Sequence, residues 1–230
     1  MTVLPPTRIK SSTYRILLIR HGQSEVYGRP WKSKDLPLSK LGIKQAQATS
    51  DILKKEPVNA FFTSPMKRAR QTAEIIANPH NLDVYPIDGF SEIDTGIFTG
   101  KTNSEVIEHG ENFKDIIVKS RDGPFVAQLL DYYPGLSFPG GESVGQMVNR
   151  VIDAWEILLE VIITNDYRIT AIVSHAGTQT VILRHLSSYF FTKNLKKEKF
   201  DNTSITEIEM SYDGNYRIIR INDTSHIQSF

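Results

Sequence analysis

The chain has 230 residues, 40% hydrophobic and 23% charged, which excludes a disordered segment or a fibrous repeat. Against a prior of ~100–200 residues per domain, it suits one domain carrying an insertion better than two long domains. Twenty-seven Lys and Arg against 26 Asp and Glu leave a formal charge of +1, so no global field recommends nucleic acid or an anionic membrane as partner, and the lack of cysteine closes disulfide, thiolate and cysteine–zinc chemistry.

Tyr14 to Ile19 is a nearly continuous apolar run, predicting a strand buried on both faces that ends in Arg20-His21-Gly22. After a polar, aromatic loop through Trp31 and Asp35, Ser39 caps a predicted helix to about Lys55, with Ala46, Thr49, Ile52 and Leu53 on its inner face. Val58 to Thr63 predicts a second strand. Ser64-Pro65 then reads as an N-cap followed by proline at the first helical position, opening a helix to about Ala77.

Leu82 to Ile87 predicts a third strand, and residues 90–96 a loop. Residues 101–139 are less regular, with one or two helical stretches and then Pro, Gly and aromatics around Asp131 to Phe138, and they are the expected insertion. Ser143 and Gln146 form a capping box for a long helix on which Val144, Met147, Val151, Trp155, Leu158 and Ile162 recur at helical spacing. Arg168 to Val173 predicts a fourth strand ending in Ser174-His175-Ala176-Gly177, with a helix from about Thr178 to Tyr189. A lysine-rich loop around Lys193 to Lys199 precedes two last strands, Ser204 to Met210 and Tyr216 to Ile221, joined at Asp213-Gly214. The expected architecture is a three-layer α/β/α sandwich with a mostly parallel central sheet and an antiparallel edge. No apolar run approaches the ~18 residues of a membrane span, and no signal peptide stands at the N-terminus, so a soluble, cytoplasmic setting is expected.

Ligands of open parallel sheets bind beyond the carboxyl ends of the strands. Three predicted strands deliver unusual groups there: Arg20 and His21 from the first, Arg68 just after the second, and His175 from the fourth. His21 and His175 are each followed within two residues by a glycine that would let a ligand approach the backbone. Basic side chains are disfavoured at a helix N-terminus, yet Lys67, Arg68 and Arg70 crowd one. A phosphate gripped by Arg20 and Arg68 would compensate, while Lys67 and Arg70 read as solvated surface groups. Of the six histidines, His80, His109, His185 and His226 read as structural or exposed. A metal pair is weakly supported, since neither His21 nor His175 belongs to a ligand cluster such as HExxH.

Arg20-His21-Gly22-Gln23-Ser24-Glu25 resembles the RHG signature of the histidine phosphatase superfamily, which includes cofactor-dependent phosphoglycerate mutases. Five further blocks resemble the family's in its order: Leu38-Ser39-x-x-Gly42-x-x-Gln45-Ala46, Thr63-Ser64-Pro65-x-x-Arg68-Ala69-x-Gln71-Thr72-Ala73, Glu92-x-Asp94-x-Gly96, Pro139-Gly140-Gly141-Glu142-Ser143 and Ser174-His175-Ala176-Gly177. The resemblance implies that His21 attacks phosphorus and becomes a transient phosphohistidine. Arg20, Arg68 and His175, with Gln23, would bind the phosphoryl oxygens, and no metal or other cofactor is required. Glu92 matches the family's acid, which protonates the leaving oxygen and then activates water; Asp88 and Asp94 meet the same compositional test.

Two departures bear on function. Tyr27 stands where the family's first block often continues to asparagine, and Glu92-Ile93-Asp94-Thr95-Gly96 lacks the Arg and Tyr that mutases typically show there. The expectation is therefore a metal-independent phosphatase acting on small phosphomonoesters. The alternatives are a cofactor-dependent phosphoglycerate mutase and a non-catalytic module that binds phosphorylated ligands. Trp31, Lys32, Lys34, Phe125, Tyr132, Tyr133 and Phe138 could wall the substrate pocket, although aromatics in an insertion more often pack it down.

Overall fold

The computed structural model describes residues 13–25, 35–109, 111–119, 125–186 and 199–227. Six strands form one sheet: β1 (Thr13–Arg20), β2 (Ala60–Thr63), β3 (Val84–Pro86), β4 (Ile169–Ser174), β5 (Ile205–Ser211) and β6 (Tyr216–Asp223), in the order β3-β2-β4-β1-β5-β6. The first four in that order run parallel, and β5 and β6 pair antiparallel at one side. This is the expected mixed sheet with its antiparallel edge.

Strand pleating sorts the apolar side chains of β1 onto opposite faces. Leu17 and Ile19 pack with Phe61, Ala171 and Val173 under helices α1 (Lys40–Leu53) and α2 (Lys67–Ala77), through Leu53, Ala69, Ala73 and Ile76. Tyr14, Ile16 and Leu18 face the other way, into a larger core with Met147, Val151, Trp155 and Ile162 of α6 (Val144–Thr164) and Val181 to Leu183 of α7 (Ala176–Leu186). Each large apolar side chain buried in this way contributes ~1.5–3 kcal/mol. Every residue of β4 is buried, as a central parallel strand requires. Three short helices, α3 (Asn103–Ile107), α4 (Glu111–Lys119) and α5 (Phe125–Tyr132), follow β3 and add Val106, Ile116, Ile117, Val126 and Leu129 to the larger core.

Several boundaries differ from the sequence reading. Helix α2 begins at Lys67 rather than at Pro65, because its cap position is Met66 and the Ser64 hydroxyl is turned towards His175. Helix α7 begins at Ala176, immediately after His175. The third strand is only Val84–Pro86, and the stretch expected to hold one or two helices holds three. Ile52 lies outward at 41% exposure, while Ser50 takes an inner position of α1. Phe138 is part of the core at 1% exposure, so it packs its segment down rather than walling a pocket, and Tyr132 is exposed. Tyr27, Trp31, Lys32, Lys34 and most of the lysine-rich loop lie outside the described residues. Among the described residues no helix is long and apolar enough to cross a membrane.

Candidate active site

Register brings the motif ends together. Arg20 of β1 lies beside Ser174 of β4, and Thr63 of β2 beside Val173. The ladder runs one residue further through His21 N–H to Ser174 O at 2.9 Å and Ser64 N–H to Val173 O at 2.9 Å. His21, Ser64 and His175 therefore leave three adjacent strands at one level, and Arg68, one residue into α2, joins them.

The side chains make a closed set of contacts. His21 Nδ1 is 2.7 Å from Gly22 O, an acceptor only, so Nδ1 carries the proton and Nε2 carries the lone pair. Arg68 donates from Nε to that lone pair at 3.1 Å and from Nη2 to His175 Nδ1 at 3.2 Å. On the far side, His175 Nε2 lies 2.8 Å from Ser64 Oγ. A hydroxyl can accept from or donate to that nitrogen, so Ser64 can follow whichever tautomer His175 adopts when an anion enters.

Each member is anchored from below. Asn202 donates to His21 O at 2.8 Å, and Gly22 N–H donates to Thr72 Oγ1 at 3.0 Å. Arg20 donates to Phe200 O through Nη1, while its buried Nε–H has no partner among the described residues. That orphaned donor on a guanidinium is a mark of an anion site. The glycine after His21 serves packing: a Cβ there would meet Gly42 O at 2.6 Å, so it seats the loop on α1 instead of opening the backbone to a ligand.

Glu92 reaches the cluster from the loop after β3. Its Oε2 accepts from Gly177 N–H at 3.2 Å and its Oε1 from Ile93 N–H at 3.1 Å. A Cβ at Gly177 would stand 2.2 Å from Glu92 Oε1, so that glycine makes room for the carboxylate. Asp94 turns its carboxylate to Gly96 N–H at 2.9 Å. Glu92 and Asp94, equal in composition, thus meet different backbone amides. Gln23 is exposed, and its side-chain oxygen takes the Ser39 hydroxyl at 2.8 Å.

The negative group at the start of α2 is Asp35, which accepts from Lys67 N–H at 2.6 Å and pairs with Lys67 Nζ at 3.3 Å. No phosphate is needed to account for that helix terminus, which corrects the sequence argument; Arg68 instead points into the site. Arg70 pairs with Glu74 on the surface, and His185 with Glu156, as their sequence positions suggested. His226 is half-buried between Thr49 Oγ1 and Thr203 O, each 3.0 Å away.

Burial, with opposition from His175, Arg68 and Arg20, holds the His21 imidazole well below its ordinary value of 6.5. Burial also lowers Arg20 and Arg68, against the pull of the Glu92 carboxylate, yet a guanidinium stays charged. Two partly desolvated cations beside a neutral, directional imidazole are an arrangement that can hold an anion against a nitrogen lone pair. A metal ion on the two histidines would sit against the Arg68 guanidinium, which disfavours it.

The depressed His21 value has a consequence for stability. Below pH 6.5 the unfolded chain takes up a proton that folded His21 refuses, so stability is full above that pH and falls as pH drops through the window beneath it. The slope is up to about 1.4 kcal/mol per pH unit for one such histidine. Thermal melts of wild type and His21→Asn between pH 5 and 7 check this. The substitution is expected to flatten the acid-side decline, leaving the part owed to His80 and His226, which burial shifts in the same direction; parallel profiles would contradict it.

Sequence reasoning alone gave Ser64 only a helix-capping role and assigned none to Thr72, Asn202, Glu142 and Arg150. Ser64, Thr72 and Glu142 lie inside the motif blocks, which could have flagged them, whereas Asn202 and Arg150 carry no local signal.

The chain is similar to known proteins over nearly its full length. Residues 16–224 match the family model described as histidine phosphatase superfamily (branch 1). Phosphoserine phosphatase 1 of Hydrogenobacter thermophilus is 31% identical over 224 residues, covering 94% of this chain and 95% of that protein. The fold resembles the alpha-ribazole phosphatase from Shigella flexneri, with a TM-score of 0.70 at 21% identity over 91% of this chain and 96% of that one. It also resembles the phosphoglycerate mutase from Bacillus anthracis str. Sterne, with a TM-score of 0.73 at 20% identity over 94% and 96%.

Proposed function

The chain belongs to the histidine phosphatase superfamily (branch 1), and from that premise we propose that it hydrolyses small phosphomonoesters through a phosphohistidine formed on His21 Nε2. The observation that carries this reading is the fixed tautomer: Nδ1–H is committed to Gly22 O, leaving Nε2 facing Arg68.

Entry of a phosphoryl group would draw the Arg68 donors off the two imidazoles and onto its oxygens, with Arg20 Nε–H supplying a further bond. Fixed positive charge at the equatorial oxygens is the main catalytic need of phosphoryl transfer, and each such donor contributes ~10²–10³ in rate. His21 Nε2 then bonds to phosphorus as the ester P–O bond breaks, and Glu92 gives its proton to the departing oxygen. Water attacks the phosphohistidine, Glu92 recovers a proton from it, and the P–N bond breaks to release inorganic phosphate. No step in this scheme calls on a metal. Gln23 serves the bound phosphate rather than the chemistry.

The same reading takes residues 1–230 as one unit with 101–139 inserted, working in the cytoplasm. The near full-length similarity to a phosphoserine phosphatase makes phosphoserine the first substrate to test.

The test is phosphate release, in chelator, from phosphoserine, simple alkyl phosphates, 4-nitrophenyl phosphate and 3-phosphoglycerate. Release from one or more esters without added bisphosphate is expected. If 3-phosphoglycerate is isomerised only with a 2,3-bisphosphoglycerate primer and no ester is hydrolysed, the mutase reading replaces this one. Tight phosphate binding with no turnover of any kind would leave a binding module.

A further inference from the structure

We propose that Arg150 and Glu142 are positioning residues that hold Glu92 in line with the leaving oxygen. This rests on the reading of Glu92 as the acid.

Residues 88–98, which carry Glu92, contain two 3₁₀ turns, at Asp88–Phe90 and Gly96–Phe98, and no strand pairing. The backbone around the acid must therefore be fixed from outside. Arg150, on α6, does so with all five of its N–H groups. Nε and one Nη2–H fork onto Glu142 Oε2 and Oε1 at 2.8 and 2.6 Å. Nη1 donates to Gly89 O and Ser91 O, both at 2.8 Å, and Nη2 also reaches Glu92 O at 3.3 Å.

Glu142 closes the ring. Its Oε1 accepts from Asp94 N–H at 2.8 Å, and its own N–H donates to Asp94 O at 3.0 Å. Carbonyls or amides of residues 89, 91, 92 and 94 are thus tied to one ion pair, whose side chains are only 25% and 15% exposed. A lysine could keep the charge but could not span three carbonyls and a carboxylate with a planar fork. A general acid must lie within hydrogen-bond reach of the oxygen it protonates, and a displacement of about 1 Å can cost ~10²-fold.

Pre-steady-state kinetics separate this role from a structural one. The burst of 4-nitrophenol release from 4-nitrophenyl phosphate needs little help from an acid, whereas cleavage of an alkyl phosphate does. Arg150→Lys and Glu142→Gln are expected to keep the burst rate within about threefold, and to slow alkyl phosphate cleavage ~10–10²-fold. Because the pair acts through Glu92, adding Arg150→Lys to Glu92→Gln should cost nothing further.

Equal losses on both esters, or additive losses in the double variant, would overturn the proposal. If Arg150→Lys fails to fold, the Glu142→Gln measurement decides, since it retains an acceptor for Asp94 N–H. The underlying reading fails separately, if Glu92→Gln itself shows no preference between the two esters.

Discussion

Substituting His21 by alanine is expected to reduce phosphate release to background, a loss on the order of 10⁴–10⁶-fold, while the protein stays folded and still binds phosphate. The nucleophile is a single nitrogen lone pair whose tautomer Gly22 O selects, and no other described side chain offers an equivalent atom at that position. His175 does not take its place, because it leaves a different strand, β4, and its Nε2 is held 2.8 Å from Ser64 Oγ. Arg20, Arg68 and His175 remain in the variant, so inhibition by inorganic phosphate should persist. The measurement is phosphate release in chelator for wild type and variant, alongside circular dichroism. Residual turnover above about a hundredth of wild type would end the phosphohistidine mechanism.

The second large effect lies at the acid. Glu92→Gln is expected to slow cleavage of alkyl phosphates ~10²–10⁴-fold, the range of general acid catalysis, with little change in phosphate affinity. A glutamine oxygen can still accept from Gly177 N–H at the cost of the bond from Ile93 N–H, and the loop keeps its ties to Arg150 while the transferable proton is lost. Gly177→Ala approaches the same point sterically. Its new Cβ would meet Glu92 Oε1 at 2.2 Å and Val126 Cγ2 at 2.5 Å, so the carboxylate must move. Both variants should show the same selective loss on esters with poor leaving groups. A uniform fall on every ester would assign Glu92 to binding instead of proton transfer.

The arrangement also accounts for a local irregularity. Ser64 precedes proline and would make a good helix cap, yet α2 starts at Lys67. The Ser64 hydroxyl accepts from Met66 N–H at 3.3 Å and also lies 2.8 Å from His175 Nε2, while Asp35 receives the Lys67 amide. One side chain thus serves both the entry to the helix and the histidine beside it.

Much of the architecture was legible in the chain. The continuous apolar runs of β1 and β4 identified strands buried on two faces, the Ser143 capping box marked the start of α6, and Asp213-Gly214 marked the closing hairpin. His21, Arg68 and His175 stood out because each follows a strand, and open parallel sheets place ligands beyond those ends. Local periodicity and terminus signals depend only on neighbours within a few residues, so sequence reports them directly.

The remainder depended on distances between segments far apart in the chain. Sequence left Glu92 and Asp94 compositionally equal; only the fold turned one to Gly177 N–H and the other to Gly96 N–H. Arg150 shows nothing in its helical neighbourhood of a role some 60 residues upstream, at the Gly89 and Ser91 carbonyls. The phosphate invoked for the start of α2 proved unnecessary because Asp35 reaches it from a loop. By itself, then, the sequence determined the element types, the order of the motifs and the chemistry available at the strand ends, since these follow from local pattern and residue type. Tertiary structure alone decided which amides the Glu92 and Asp94 carboxylates meet, which nitrogen of His21 carries the proton and what ties down the backbone of residues 89–94, because a hydrogen bond is set by separations of about 3 Å that no local pattern encodes.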